Sequence, residues 1–68
     1  MSNIAKVIEL VGTSEVSWDD AAAQAVKAAS RSVHGITGIE VTNMTAKVQD
    51  GKIVAFKTTV KIAFAVDP

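Results

Sequence analysis

The chain has 68 residues, with seven basic and seven acidic side chains, so its formal net charge is 0. This length predicts one domain, residues 1–68, and the balanced charge argues against a nucleic-acid-binding patch or a polybasic membrane anchor. The absence of cysteine excludes disulfides, thiolate metal sites and cysteine nucleophiles. The sequence has neither a signal-peptide core nor an apolar run long enough for a membrane span, which predicts a cytoplasmic protein.

The composition raises a problem of stability. Hydrophobic residues make up 49% of the chain, but only 4% are aromatic, and many of the others are alanine or valine. A chain this short rarely builds a core worth more than roughly 3–5 kcal/mol without disulfides, a structural metal or oligomerisation. We therefore expect the protein to associate with copies of itself.

The first half of the chain predicts one strand and one helix. Residues 6–12 are rich in β-branched side chains and predict a strand that ends in a turn. Ser17 is suited to cap a helix over residues 18–33, and Asp20 completes a capping-box pattern before Gly35 ends the element. One stripe of this helix is apolar and carries Trp18, Ala22, Ala25, Val26, Ala29 and Val33.

The second half predicts a long hairpin. Residues 39–49 and 52–66 read as strands joined by Asp50 and Gly51, a typical two-residue hairpin turn. The predicted fold is α+β, with the order β-α-β-β and a three-stranded antiparallel sheet partly wrapped around one helix. One face of the last strand is expected to meet the helix: Val54, Phe56, Thr58, Val60, Ile62, Phe64 and Val66. The opposite face is expected to contact other subunits through Ile39, Val41, Ala55, Ala63 and Ala65.

Candidate functional residues are few. A polar stripe on the hairpin indicates either a solvated face or a surface that binds a ligand or an anion: Lys57, Thr59, Lys61, Asn43, Thr45 and Lys47. Trp18 is interpreted as structural, the lone His34 as structural or solvated, and the four glycines as turn residues. A hard cation could use carboxylates from two subunits, drawn from Glu15, Asp19, Asp20, Glu40 and Asp50. No nucleophile–base pair is found, which predicts that the protein is not an enzyme.

Taken together, these segments resemble the dodecin family over nearly the whole chain. The resemblance rests on residues 6–14 (KVIELVGTS), 17–22 (SWDDAA), 39–41 (IEV), 50–52 (DGK) and 60–64 (VKIAF). It implies a hollow homododecamer that binds and stores a small ligand without catalysing a reaction. In many dodecins that ligand is a flavin, such as FMN or riboflavin, held in pairs where two subunits meet.

At the two positions that contact flavin in this family, the sequence departs from the pattern. Gly38 stands where flavin-binding dodecins have a stacking tryptophan, and Lys57 stands where they have a glutamine. The resemblance thus places the cofactor-binding positions at Gly38 and Lys57 and predicts altered or weak flavin binding. The alternative is a flavin-free dodecin that serves as a structural cage or binds cations or another small anion.

Overall fold

The computed structural model describes residues 4–66. Its elements are β1 (Ala5–Ser14), α1 (Trp18–Ala29), β2 (Ile36–Gln49) and β3 (Lys52–Ala65). All three strands form one antiparallel sheet in the order β1-β3-β2, so the last strand lies in the centre. The β-α-β-β fold predicted from the sequence is confirmed.

The start of α1 is held by two serines. The Ser17 hydroxyl accepts a hydrogen bond from the Asp20 backbone N–H at 2.9 Å, as predicted for an N-cap. The capping box is not formed, because the Asp20 carboxylate accepts from the Ser14 hydroxyl at 2.6 Å. Ser14 Oγ in turn accepts from the backbone N–H groups of Val16 and Ser17 at 2.9 and 3.4 Å. The end of β1 is therefore tied directly to the first turn of the helix.

The helix is shorter than predicted. It ends at Ala29 with Ser30 as its C-cap, whereas the sequence predicted that it continues to Val33. The Ser30 hydroxyl donates to the Lys27 carbonyl at 2.8 Å, a local bond by which serine competes with helical pairing. Twelve helical residues span roughly 18 Å. Within the part of the chain that the structure describes, no helix is long and apolar enough to cross a membrane.

The hydrophobic core lies between α1 and the strands β1 and β3. On β3, Thr58, Val60 and Ile62 are buried, which confirms the centre of the face predicted to meet the helix. The prediction fails at Val54, which the strand pairing skips and which is 38% exposed. Three of the five residues in the core cluster are alanines from α1, and the full set is Ala22, Ala25, Ala29, Val60 and Ile62. So thin a core keeps the helix close to the sheet and gives the subunit little apolar burial of its own.

Glycines have two different roles. Gly35 and Gly51 have φ of 75° and lie in connections, and Asp50 with φ of 52° completes the predicted hairpin turn. Gly12 and Gly38 were expected in turns, but they lie inside β1 and β2. A side chain on Gly12 would collide with the helix backbone, since an added Cβ would lie 1.9 Å from the Ala21 carbonyl oxygen.

Two β-bulges in β2 change which side chains meet the helix face. The pairing skips Thr37 and Thr42, and their hydroxyls donate to β3 carbonyls at 3.4 and 3.3 Å. Because the extra residue at Thr42 reverses the alternation, Ile39 and Val41 lie opposite Ile62 and Val60 on the helix side of the sheet. The prediction that Ile39 and Val41 lie on the opposite face is wrong.

Candidate functional site

The face of the sheet turned away from α1, here called the outer face, carries the polar stripe. Residues paired across neighbouring strands share a face, so the register assembles this surface in rows. Read from β1 through β3 to β2, the rows are Val7, Ala63 and Gly38; Glu9, Lys61 and Glu40; Val11, Thr59 and Asn43; and Thr13, Lys57 and Thr45. The polar side chains singled out in the sequence therefore lie together at the centre of one surface.

A recess opens on the outer face at Gly38. A Cβ built on this glycine meets nothing within 4 Å, and its partner across the sheet is the small Ala63. The resulting cavity, here called the Gly38 bay, has a volume of about 260 Å³. It is lined by Val7, Gly38, Ile39, Glu40, Lys61 and Ala63. The lining combines an apolar floor and wall with one cationic and one anionic side chain.

The charges beside the bay alternate across the sheet. Lys61 on the central strand is paired with Glu9 on one side and Glu40 on the other. All three side chains are exposed, so water and salt screen their attraction. The row offers ammonium donors and carboxylate acceptors to a ligand with polar edges, and it carries one net negative charge per subunit.

The two positions predicted to bind cofactor both lie on the outer face, but they lie far apart on it. Gly38 lines the bay beside Ala63, whereas Lys57 is paired with Thr13 and Thr45 farther along the strand. Six residues of β3 separate the two levels, which corresponds to about 20 Å. One subunit does not bring Gly38 and Lys57 to the same small ligand, so their shared role requires a second subunit and stays a prediction.

Two residues near the bay are not indicated by any pattern in the sequence. Val7 lines it and Glu9 flanks Lys61, and both belong to β1. Their position depends on the antiparallel register of β1 against β3, two strands separated by most of the chain. The alternation within β1 indicates that these side chains share a face, but no local pattern indicates which β3 residues they meet.

Trp18 fastens the start of the helix to the sheet. Its indole Nε1 donates to the Thr45 carbonyl at 2.7 Å, and its ring meets Phe56 edge-on with centroids 4.8 Å apart. Its own carbonyl accepts from the buried Thr58 hydroxyl at 2.9 Å. These contacts occupy both ends of the residue and agree with the structural interpretation of Trp18.

The candidate cation ligands are dispersed. Asp20 is engaged by Ser14, Asp50 forms the hairpin turn, and Glu15 and Asp19 are exposed near the start of the helix. Within residues 4–66, no group of three or more histidine, aspartate or glutamate side chains is placed to hold a metal ion. His34 is exposed in the connection before β2.

Comparison with known proteins gives one consistent family. The dodecin family model matches residues 4–67. Calcium dodecin from Mycobacterium tuberculosis is 32% identical over 66 residues, which cover 97% of this chain and 93% of that protein.

Solved structures give the same result. Dodecin from Streptomyces coelicolor matches with a TM-score of 0.92 and 32% identity, over 100% of this chain and 99% of that one. The structure of the Mycobacterium tuberculosis protein, described as a calcium-chelating immunodominant antigen with a novel calcium-binding site, has a TM-score of 0.81 and 36% identity. That match covers 97% of this chain and 94% of the other.

Proposed function

This chain belongs to the dodecin family, and from that premise we propose that it is a non-catalytic binding protein that assembles with copies of itself. Each subunit holds part of a small ligand on its outer face, at the Gly38 bay. The bay supports this proposal, because it is a mainly apolar recess with charged edges. It contains Gly38, which the resemblance to flavin-binding dodecins places at a cofactor contact. Pockets of this composition bind small molecules through apolar contact and use a few polar groups to orient them.

The small hydrophobic core of the subunit supports self-assembly. Among residues 4–66, the buried core cluster has two residues larger than alanine, Val60 and Ile62, with Ile8, Leu10, Val26 and Ile36 partly buried against it. Valine and isoleucine side chains remain exposed on both faces of the sheet, including Val7 and Val11 on the outer face. Burying these residues against another copy supplies apolar burial that the single subunit lacks. The resemblance to dodecins sets the expected number of copies at twelve.

A ligand of the flavin class fits the shape and chemistry of the bay. Val7 and Ala63 offer an apolar surface to a flat ring, while Glu40 and Lys61 can accept from and donate to its polar edge. Gly38 offers no aromatic platform, and a stacked ring is worth about 1–3 kcal/mol, by analogy with nucleobase stacking. We therefore expect flavin affinity to be weak.

Calcium is the second candidate ligand. A relative sharing 32% identity is a calcium dodecin, and Glu9 and Glu40 place two carboxylates on the outer face of each subunit. Calcium takes six to eight oxygen ligands, so carboxylates from two subunits would have to meet. Lys61 lies between these carboxylates and disfavours a cation there, which makes calcium the weaker candidate at this position.

One titration series distinguishes the two ligands. Riboflavin or FMN fluorescence is followed as purified protein is added, and calcium is titrated calorimetrically into chelator-treated protein. We expect quenching at tens of micromolar protein and little heat from calcium. Glu9→Gln, which keeps the side-chain shape at a carboxylate outside the lining of the bay, is expected to abolish any calcium signal and to leave flavin quenching within a few-fold.

The same series can overturn the proposal. Calcium binding without flavin quenching would favour the second candidate. Protein that responds to neither ligand would contradict small-ligand binding of both classes and favour a structural cage.

A further inference from the structure

One long side of β1 is open to another strand. The strands of residues 4–66 are ordered β1-β3-β2, so β1 is an edge of the sheet. The Val66 backbone N–H donates to the Ile4 carbonyl at 3.0 Å, which identifies these two residues as a hydrogen-bonded pair. Such pairs alternate along an antiparallel ladder, and the register of β1 on β3 is unbroken. The backbone N–H and C=O groups of Glu9, Val11 and Thr13 therefore point away from β3, towards the free edge.

The helix forms a groove along this edge, here called the β1 groove. It is a cavity of about 380 Å³ between α1 and residues 10–12 of the strand. Lys27 and Arg31 line it on the helix side, and none of the described residues that line it is acidic. Both cationic side chains are exposed, and within residues 4–66 neither makes an ion pair. The groove thus combines free backbone groups with an uncompensated positive wall.

The two sides of the groove favour different side chains. An added strand would lie about 4.8 Å beyond β1, with side chains that alternate between the two faces of the sheet. Those on the helix side would meet Lys27 and Arg31. Those on the outer face would meet Val11, which is 61% exposed. The β1 groove therefore matches an extended segment in which acidic and apolar residues alternate.

A second copy of this chain does not offer such a segment at its sheet edges. Two β1 strands paired antiparallel would bring the Lys27 and Arg31 side chains of both copies together, and like charges repel. The other edge, β2, presents Ile39 and Val41 on the helix side, while its Glu40 is paired with Lys61 on the outer face. Neither edge of the sheet can place a carboxylate beside the positive wall.

We propose that the β1 groove binds an extended acidic segment of a partner protein, which adds to the sheet as a fourth strand beside β1. Backbone hydrogen bonds along the edge supply affinity, and the side chains that meet Lys27 and Arg31 supply specificity. The groove lies on the helix side at residues 10–12, whereas the Gly38 bay opens on the outer face. The inference is therefore independent of the ligand proposed for the bay.

Synthetic peptides test the chemistry of the partner. The probe is a labelled peptide of alternating glutamate and valine, and its fluorescence anisotropy is followed as the assembled protein is added. We expect saturable binding that weakens as salt is raised, because the cationic side chains are exposed. A peptide with lysine in place of glutamate is expected not to bind. A glutamate peptide methylated on alternate backbone nitrogens, along the side that pairs with β1, is also expected not to bind, since it lacks the donors for strand pairing.

Reversing the positive wall should reverse the preference. Lys27→Glu with Arg31→Glu is expected to bind the glutamate peptide at least about tenfold more weakly and to bind the lysine peptide that the wild type rejects. Lys47→Glu with Lys52→Glu is the matched control, because it changes the net charge equally beside the hairpin turn. This control should keep the wild-type preference. A misfolded variant cannot produce the expected gain of lysine-peptide binding.

The backbone edge is tested separately with Val11→Pro. Proline removes an N–H that points to the free edge and leaves the bonds to β3 in place, a position where strands tolerate it. We expect a native circular dichroism spectrum and peptide binding weakened about tenfold. In the wild type, the amides of Glu9, Val11 and Thr13 should exchange with solvent deuterium more slowly once the peptide is bound.

Several results would overturn the inference. Equal binding of the glutamate and lysine peptides would exclude selection by charge, and full binding of the methylated peptide would exclude strand addition. If the glutamate peptide binds the wild type with a Kd weaker than about 1 mM, the two cations serve only to keep other strands away from the edge. A folded Val11→Pro variant with a smaller assembled mass would show that a second copy covers the edge.

Discussion

Replacing Gly12 with alanine is expected to destabilise the subunit by about 3 kcal/mol. The added Cβ would lie 1.9 Å from the Ala21 carbonyl oxygen and 2.8 Å from its carbonyl carbon, and neither backbone atom can rotate away as a side chain can. The helix would have to lift from β1, and its alanine face would lose contact with the sheet. In urea denaturation at fixed subunit concentration, the midpoint should fall steeply.

Gly38→Ala is the matched control for this substitution. The Cβ at that position meets nothing within 4 Å, and the backbone conformation accepts a side chain without strain. The unfolding free energy should change by less than about 1 kcal/mol. Equal effects of the two substitutions would show that the close approach at Gly12 does not limit stability.

Replacing Gly38 with tryptophan, together with Lys57→Gln, is expected to tighten flavin binding by roughly 5- to 150-fold. The estimate follows from about 1–3 kcal/mol for a stacked ring. A Cβ at Gly38 meets nothing within 4 Å, so a side chain can leave the backbone there, and the double change introduces the residues that the resemblance to flavin-binding dodecins assigns to these positions. Fluorescence quenching of riboflavin measures the gain directly.

Gly38→Leu with Lys57→Gln separates stacking from simple filling of the bay. Leucine supplies apolar volume without an aromatic face, so its flavin affinity should remain close to that of the native protein. If the leucine and tryptophan variants bind riboflavin equally, the tryptophan acts by excluding water and not as a stacking platform.

The main elements of the fold follow from local patterns. The alternation in β3, the alanine-rich stripe of α1 and the Asp50-Gly51 turn each indicate one structure, and the structure has all three. The end of the helix does not follow in the same way. Val33 continues the apolar spacing of the helix, but the Ser30 hydroxyl bonds to a helix carbonyl and the turn tightens there.

The alternation of residues along β2 does not predict which face of the sheet each of its side chains occupies. Ile39, Val41, Asn43 and Thr45 have even spacing and would share a face in a regular strand. The bulge at Thr42 separates the first two from the last two, and it is stabilised by the pairing of the whole hairpin. Ile39 and Val41, which the sequence predicts on the outer face, therefore extend the core on the helix side.

The sequence predicts only part of the candidate site. The family resemblance indicates Gly38, but the residues that surround it come from strands far apart in the chain, since Val7 and Lys61 meet it only through the register of the sheet. Lys57 lies on the predicted face but at another level. The bay is open because glycine has no side chain at position 38, and no local sequence pattern predicts a cavity of this kind.

We expect the subunit to depend on copies of itself, because its own buried core cluster is mostly alanine. Native mass spectrometry of the wild-type protein at low micromolar concentration, paired with circular dichroism across a dilution series, tests it most directly. The expected result is a discrete assembly at twelve times the 7.1 kDa subunit mass, whose dissociation coincides with loss of structure. A folded 7.1 kDa species that persists on dilution, with the spectrum of the undiluted protein, would contradict the account.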